Sequence, residues 1–178
     1  MLELNSASVL RLESRVMYSI RHALLEEYEI AAPLAVRAFS EFSDSIRPEH
    51  WSAFKEIISE TTQLRSGGEL LLAVHDGIIV GSVVYRDPAC VTEHPFGLDS
   101  ASLRTLAVQP NFRGRGAARA LIGACLELAR NDGYEQFAVS LGIIMTNARK
   151  LFANLRFSET ATQATIAGLK CVKADINI

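Results

Sequence analysis

The chain has 178 residues, 49% of them hydrophobic, and 18 Lys and Arg against 20 Asp and Glu give a formal net charge of -2; that is enough for one domain with a substantial core and short for two. The arginines gather locally instead of spreading along a face, which gives no support for nucleic-acid binding or an acidic tail. Cys90, Cys125 and Cys171 are odd in number and far apart, with no histidine at ligand spacing, so neither a disulfide framework nor a metal site is expected and a reducing compartment fits. No apolar run reaches the roughly 18 to 20 residues of a membrane span, and the start Met1-Leu2-Glu3-Leu4-Asn5 lacks the basic flank of a secretion signal. A cytoplasmic protein without a membrane partner is the expectation.

In chain order, residues 1–16 carry Leu2, Leu4, Val9, Leu10, Leu12 and Val16 and suit either a short amphipathic helix docked on the domain or on a partner subunit, or a frayed arm. A single domain is expected over 17–178. Tyr18-Ser19-Ile20-Arg21-His22-Ala23 reads as a strand, and Glu26 and Glu27 favour a helix start near them. Pro33 falls within its first two turns or marks its true start, and Leu34, Ala35, Ala38, Phe39 and Phe42 form its apolar stripe. After a polar break at 43–47, Pro48 opens a second helix with Trp51, Phe54, Ile57, Ile58 and Thr61 at helical spacing; Trp51 and Phe54 read as core before substrate contacts. Gly67-Gly68 is expected to end it.

Asp76-Gly77 between two apolar runs, 69–75 and 78–86, predicts a tight hairpin of buried central strands. Residues 87–100, with Pro88, Pro95 and Gly97, form a loop longer than a hairpin needs, and such loops often border sites. A strand at 103–108, a helix at 116–131, a strand at 137–141, a helix at 147–155 and a final hairpin at 157–161 and 168–172 complete an α+β order with a mixed sheet.

The chemistry concentrates where the 103–108 strand passes through Pro110 and two glycines into the long helix. Gly114 and Gly116 allow positive φ and a close backbone approach, and the amides opening the helix converge on one point. Arg113, Arg115 and Arg119 crowd the positive end of the helix dipole, where cations are disfavoured unless an anion offsets them. Two readings stand at this point: an anion nest, or a tight turn with solvated arginines.

The stretch Arg113-Gly114-Arg115-Gly116-Ala117-Ala118 resembles the coenzyme A motif of the GNAT acetyltransferases, Gln/Arg-x-x-Gly-x-Gly/Ala, and follows a strand reading Leu-x-x-Leu-Ala-Val-x-Pro as in that family. Asn147-Ala148-x-x-Leu151-Phe152-x-x-x-x-Phe157 is similar to the family's second landmark, and the element order from Tyr18 to Val172 agrees as well. The resemblance implies a GNAT-type α+β fold, a central mixed and mostly antiparallel sheet flanked by helices. It implies acetyl-CoA as the cofactor. Leu106, Ala107 and Val108 would line the acyl and pantetheine arm at a bulge where the 103–108 and 137–141 strands part. Arg113, Gly114, Arg115, Gly116, Ala117 and Ala118 would hold the pyrophosphate, with Asn147 near the pantetheine and Phe152 beside the thioester sulfur.

The implied activity is acetyl transfer to a primary amine of a small molecule or peptide by direct attack on the thioester, with a possible homodimer through the final strands and the N-terminal arm. Three residues depart from the pattern. Phe152 stands where a tyrosine usually gives the thiolate its proton, Arg156 replaces the glycine of Gly-Phe, and Ser102 and Arg104 occupy strand positions that often carry a glutamate. Glu93 or His94 from the long loop are the candidate catalytic residues, with Tyr85 or Ser140 as local donors. A non-catalytic acyl-CoA-binding module is the alternative. A nucleotide-phosphate loop is weaker, because no Gly-Lys-Ser/Thr follows the glycines.

Overall fold

The computed structural model of the protein describes residues 17–63, 67–90 and 100–178; the 1–16 segment and most of the long loop lie outside them. Strand β1 (Ser19–His22) leads through a single helical turn at Leu25–Glu27 into helix α1 (Tyr28–Phe39). Arg21 clamps Glu27 with both guanidinium ends at 2.6 Å, and the Leu24 amide donates to the same carboxylate at 2.8 Å. These bonds, the Arg21 pair first, hold the Glu27 carboxyl at about 2. A carboxylate depressed in the fold stabilises it above its ordinary value near 4.5 and loses that contribution as pH falls toward about 2. Glu27→Gln is therefore expected to flatten part of the fall in Tm over that window; parallel Tm curves for variant and parent across it would contradict this.

Pro33 sits in the second turn of α1, which begins at Tyr28, five residues before it. Its missing amide leaves the Glu29 carbonyl without a helical partner, and both residues are exposed, so water can serve that carbonyl. Ala31, Ala32, Leu34, Ala35 and Ala38 face inward. The expected polar break continues as helical turns at Ser40–Ser45, and α2 (Pro48–Thr62) opens on its proline.

Helix α2 ends at Thr62, well before Gly67-Gly68, which corrects the expected boundary. Thr62 is fully buried, and its hydroxyl donates back to the Ile58 carbonyl at 2.8 Å, the local bond by which Thr competes with continued helix. The glycines serve the sheet instead. At Gly68, φ is +117°, and a Cβ there would lie 2.6 Å from the Tyr85 carbonyl oxygen, so the chain can approach the neighbouring strand only as glycine.

The hairpin β2 (Glu69–His75) and β3 (Ile78–Arg86) has the expected bounds, with Asp76 and Gly77 at φ +48° and +76° making its turn. There follow β4 (Ala101–Val108), α3 (Ala117–Asn131), β5 (Gln136–Gly142), α4 (Thr146–Asn154), β6 (Ser158–Ile166) and β7 (Leu169–Asn177). They form a 7-stranded sheet ordered β1-β2-β3-β4-β5-β7-β6, in which only β4 and β5 run parallel. The mixed, mostly antiparallel sheet is as expected. Strands β6 and β7 run longer than expected, because β6 is a Thr-rich edge strand whose register slips between Glu159 and Gln163, and an edge strand needs no clean apolar alternation.

Both faces of the sheet are covered. Leu121, Ile122 and Cys125 of α3, with Phe152 of α4, pack on Val83, Tyr85 and Phe137, while Leu34, Ala35, Phe54 and Ile58 pack with Ala107, Met145 and Cys171 on the other side. Central strands buried on two faces read as continuous apolar runs, which is why β2 and β3 were legible. Among the described residues no helix is long and apolar enough to cross a membrane.

Candidate functional site

The connection from β4 to α3 makes one turn at Pro110–Phe112 and then takes Gly114 at φ +72° and Gly116 at φ +95°, the latter as the residue capping α3. A Cβ added at either glycine would meet nothing within 4 Å, so the glycines answer a backbone conformation and leave open space beside it. The Ala120 amide reaches the Gly116 carbonyl at 3.0 Å. The amides of Ala117, Ala118 and Arg119 before it have no partner within the helix.

Arg113 is fixed differently from the sequence expectation. Its amide donates to the Pro110 carbonyl at 3.2 Å, and its guanidinium donates to the Val108 carbonyl, to Glu41 at 2.9 Å and to the Ala38 carbonyl at 2.8 Å. Its side chain ties the glycine turn to the end of α1. Arg113→Ala should lower stability by about 1–2 kcal/mol, since partly exposed charge-assisted bonds contribute only modestly, and should weaken ligand binding at the turn through lost positioning. A melting curve and a coenzyme A titration of the variant check this; unchanged values in both would contradict it. Arg115 lies over the Phe112 ring at 5.8 Å, outside the cavity lining.

The second half of the site is an irregularity in the sheet. Ser82 pairs with Ala107 and Val84 with Arg104, so Thr105 and Leu106 face Val83 alone. Such a bulge leaves ladder groups unpaired and kinks the strand, and Thr105 takes φ +48°, a strained value for a β-branched residue. Strand β4 then pairs with β5 only through Ala101, Ser102 and Leu103, and the two part. The bulge and the parting lie in the stretch where the family resemblance implied them, and no local pattern of the sequence announced the slip itself.

A cavity of about 700 Å³ joins the gap to the glycine turn. Leu106, Ala107, Val108, Arg113, Gly114, Gly116, Ala117, Ala118, Asn147 and Phe152 all open onto it, so of the expected contacts Arg115 alone does not. Phe152 is 2% exposed and packs edge-on against Phe157 at 5.0 Å. Glu93 and His94 lie outside the described residues.

Polar groups in the gap were less legible. The Thr105 hydroxyl oxygen is buried, lines the cavity and lacks a hydrogen-bond partner among the described residues, and the Ser140 hydroxyl is buried in the same lining beside the Cys171 thiol. The Cys171 thiol also lines it and donates to the Leu169 carbonyl at 3.5 Å; burial pushes this thiol up, against smaller lowering effects of the Ser140 hydroxyl, the Ile166 backbone and Arg104. Arg104 stands on the same wall. Tyr85, expected as a donor, is on the other face: its ring stacks on Phe137 at 6.5 Å and its hydroxyl donates to Asp132 at 2.6 Å. Burial and the Asp132 bond push its phenol far up, and it does not line the cavity. Thr105 and Cys171 carry no local sequence signal, since the first is set by a cross-strand slip and the second by its register opposite Gly142 on β5.

Residues 20–157 match the family model described as the acetyltransferase (GNAT) family. The probable N-acetyltransferase family 8 member 5 of Mus musculus is 28% identical over 110 residues, 60% of this chain and 46% of that protein. N-acetyltransferase 8 of the same animal is 31% identical over 94 residues, 53% of this chain and 40% of its own length, so the chain spans less than half of these relatives. Aminoglycoside N(6')-acetyltransferase type 1 of Salmonella enteritidis is 28% identical over 127 residues, 63% of this chain and 86% of that one. In fold, the chain is similar to a GCN5-related N-acetyltransferase of Rhodopseudomonas palustris, with TM-score 0.70, 21% identity and coverage of 91% and 96%. It is also similar to the paia N-acetyltransferase of Thermoplasma acidophilum in complex with coenzyme A, with TM-score 0.68, 11% identity and coverage of 88% and 98%. With the family match running from β1 to the residue before β6, over a sheet that bulges and parts beside a glycine turn, the chain belongs to the GNAT acetyltransferase family.

Proposed function

We propose that the protein is an acetyl-CoA-dependent N-acetyltransferase that moves an acetyl group to a primary amine of a small molecule or peptide by direct attack. One observation carries the reading: the turn holding Gly114 and Gly116 at positive φ opens into the same cavity as the gap between β4 and β5. An anion-binding end and a slot between strands suit a ligand with a pyrophosphate and a long arm. Gly114, Gly116, Ala117 and Ala118 would hold the pyrophosphate by backbone amides, Leu106, Ala107 and Val108 the arm, with Asn147 beside it and Phe152 near the sulfur. Acetyl-CoA supplies an acyl group on a good thiol leaving group.

The remaining work falls to the chain. A backbone amide freed from the ladder at the Thr105–Leu106 bulge would polarise an acyl carbonyl held in the gap. Ser140 and Thr105 offer hydroxyls in the gap that can donate to a departing sulfur. The Cys171 thiol is pushed up by burial, which disfavours the thiolate an acyl-enzyme would need and favours direct attack. Glu93 or His94 is the proposed base, each able to take the amine proton directly or through water. A cytoplasmic setting and a homodimer through the edge of β6 belong to the same reading.

A second reading draws on Phe152, which has no proton to give: a non-catalytic acyl-CoA-binding module. Incubation with acetyl-CoA and a broad amine panel, following free thiol, separates the two. Thiol release matched by acetylated amine supports transfer; calorimetric binding of acetyl-CoA with no release on any amine would leave the binding module.

A further inference from the structure

We infer that the acceptor is a monoamine with an apolar body, aromatic or branched alkyl, and that polycationic amines are poor acceptors. The inference rests on the acetyltransferase reading above and concerns the wall of the cavity facing β4. Phe39 and Phe54 meet there edge-on at 5.8 Å, Phe42 lies 6.4 Å from Phe39, and Ile57 continues the wall along α2. Phe54 is buried, and packing alone explains it. Phe39, Phe42 and Ile57 keep part of their surface exposed while lining the cavity, so an apolar ligand would gain by covering them.

The charges of the same lining point the same way. Among the described lining residues Glu41 is the one carboxylate, and Arg113 holds it at 2.9 Å. The other charged groups there are Arg104, Arg113 and Arg119, all cations. A second ammonium group entering with the acceptor would shed its water without an unengaged carboxylate among the described lining residues to meet it, the proposed base Glu93 or His94 being taken up by the reacting amine. A single amine faces no such loss, because apolar and cationic surroundings favour its neutral form, and the neutral form is the one that attacks the thioester carbonyl. As the nitrogen–carbon bond forms and the carbon–sulfur bond breaks, the amine proton passes to solvent or the base, and the departing thiolate takes up a proton from solvent or through Ser140 or Thr105 to leave as the thiol.

The test uses the full chain with saturating acetyl-CoA, reading free thiol and acetylated product by mass spectrometry for phenethylamine, isoamylamine, spermidine and kanamycin. The two apolar monoamines are expected to exceed both polycations in kcat/KM by about tenfold or more, the scale on which an apolar pocket discriminates. Ile57→Glu, and independently Phe42→Glu, place a carboxylate on the wall and should reduce that ratio by about tenfold, with coenzyme A affinity by calorimetry showing that each variant is folded. A parent enzyme that prefers spermidine or kanamycin overturns this inference and leaves the acetyltransferase reading standing. Binding of acetyl-CoA with no amine acetylated overturns that reading, and this inference with it.

Discussion

Gly116→Val is expected to reduce coenzyme A affinity by about 100-fold or more, equivalent to about 2.7 kcal/mol, while the protein still folds. Gly116 stands at φ +95° with open space where a Cβ would be. A β-branched residue in that region carries strain of about 1–3 kcal/mol, which for a chain of this size lowers Tm by only about 2–4 °C per kcal/mol. Its two methyl groups would project into the space beside the amides that open α3 at Ala117 and Ala118, where the proposed pyrophosphate would sit close to backbone. Arg115→Ala makes a useful contrast. Its side chain lies over Phe112 outside the cavity, so its loss should weaken binding by no more than a few fold and mainly at low salt. Calorimetric titration checks both variants; a Gly116→Val protein that binds as the parent does would make the turn a turn and nothing more.

Phe152 carries the second large effect, in two directions. Fully buried and set against Phe157, it should cost about 3–5 kcal/mol of stability when replaced by alanine, visible as a large drop in Tm. Phe152→Tyr keeps the ring and adds a hydroxyl at the cavity wall. A positioned general acid contributes about 10²–10⁴-fold, and since on the proposed reading the parent would turn over without one at this position, the gain in kcat is expected to be smaller, about tenfold. A new alkaline limb should appear in the pH profile of kcat as the phenol ionises. Unchanged kcat and an unchanged profile would mean that protonation of the leaving thiol is already complete by another route.

The parts of this fold that were legible are those set by neighbouring residues. Asp76-Gly77 gave the hairpin and Pro48 the start of α2, since turn chemistry and capping are local. The two glycines of the turn before α3 were legible for the same reason, and the positive φ at each is their local signature. What escaped is set by contacts distant in sequence. Gly68 looks like a helix stop and is held by the approach of the Tyr85 carbonyl. Arg113 was legible beside its glycine, but not the contacts that fix its side chain: Glu41 and the Ala38 carbonyl, more than seventy positions away, take its guanidinium. Tyr85 looks like a donor for the site, and strand alternation turned it to the opposite face, onto Asp132. Thr105 is strained by a one-residue slip between β3 and β4 that no local pattern announces.

On the proposed reading, the glycine turn and the gap between β4 and β5 hold one ligand and present it for transfer. Its most direct test is a single reaction of the parent chain with acetyl-CoA and phenethylamine, quantifying free coenzyme A thiol and N-acetyl product together. Equal amounts of the two, both lost in Gly116→Val, are the expected result. Tight binding of acetyl-CoA by the parent, with neither thiol nor acetylated amine formed from this or any other amine, would contradict it.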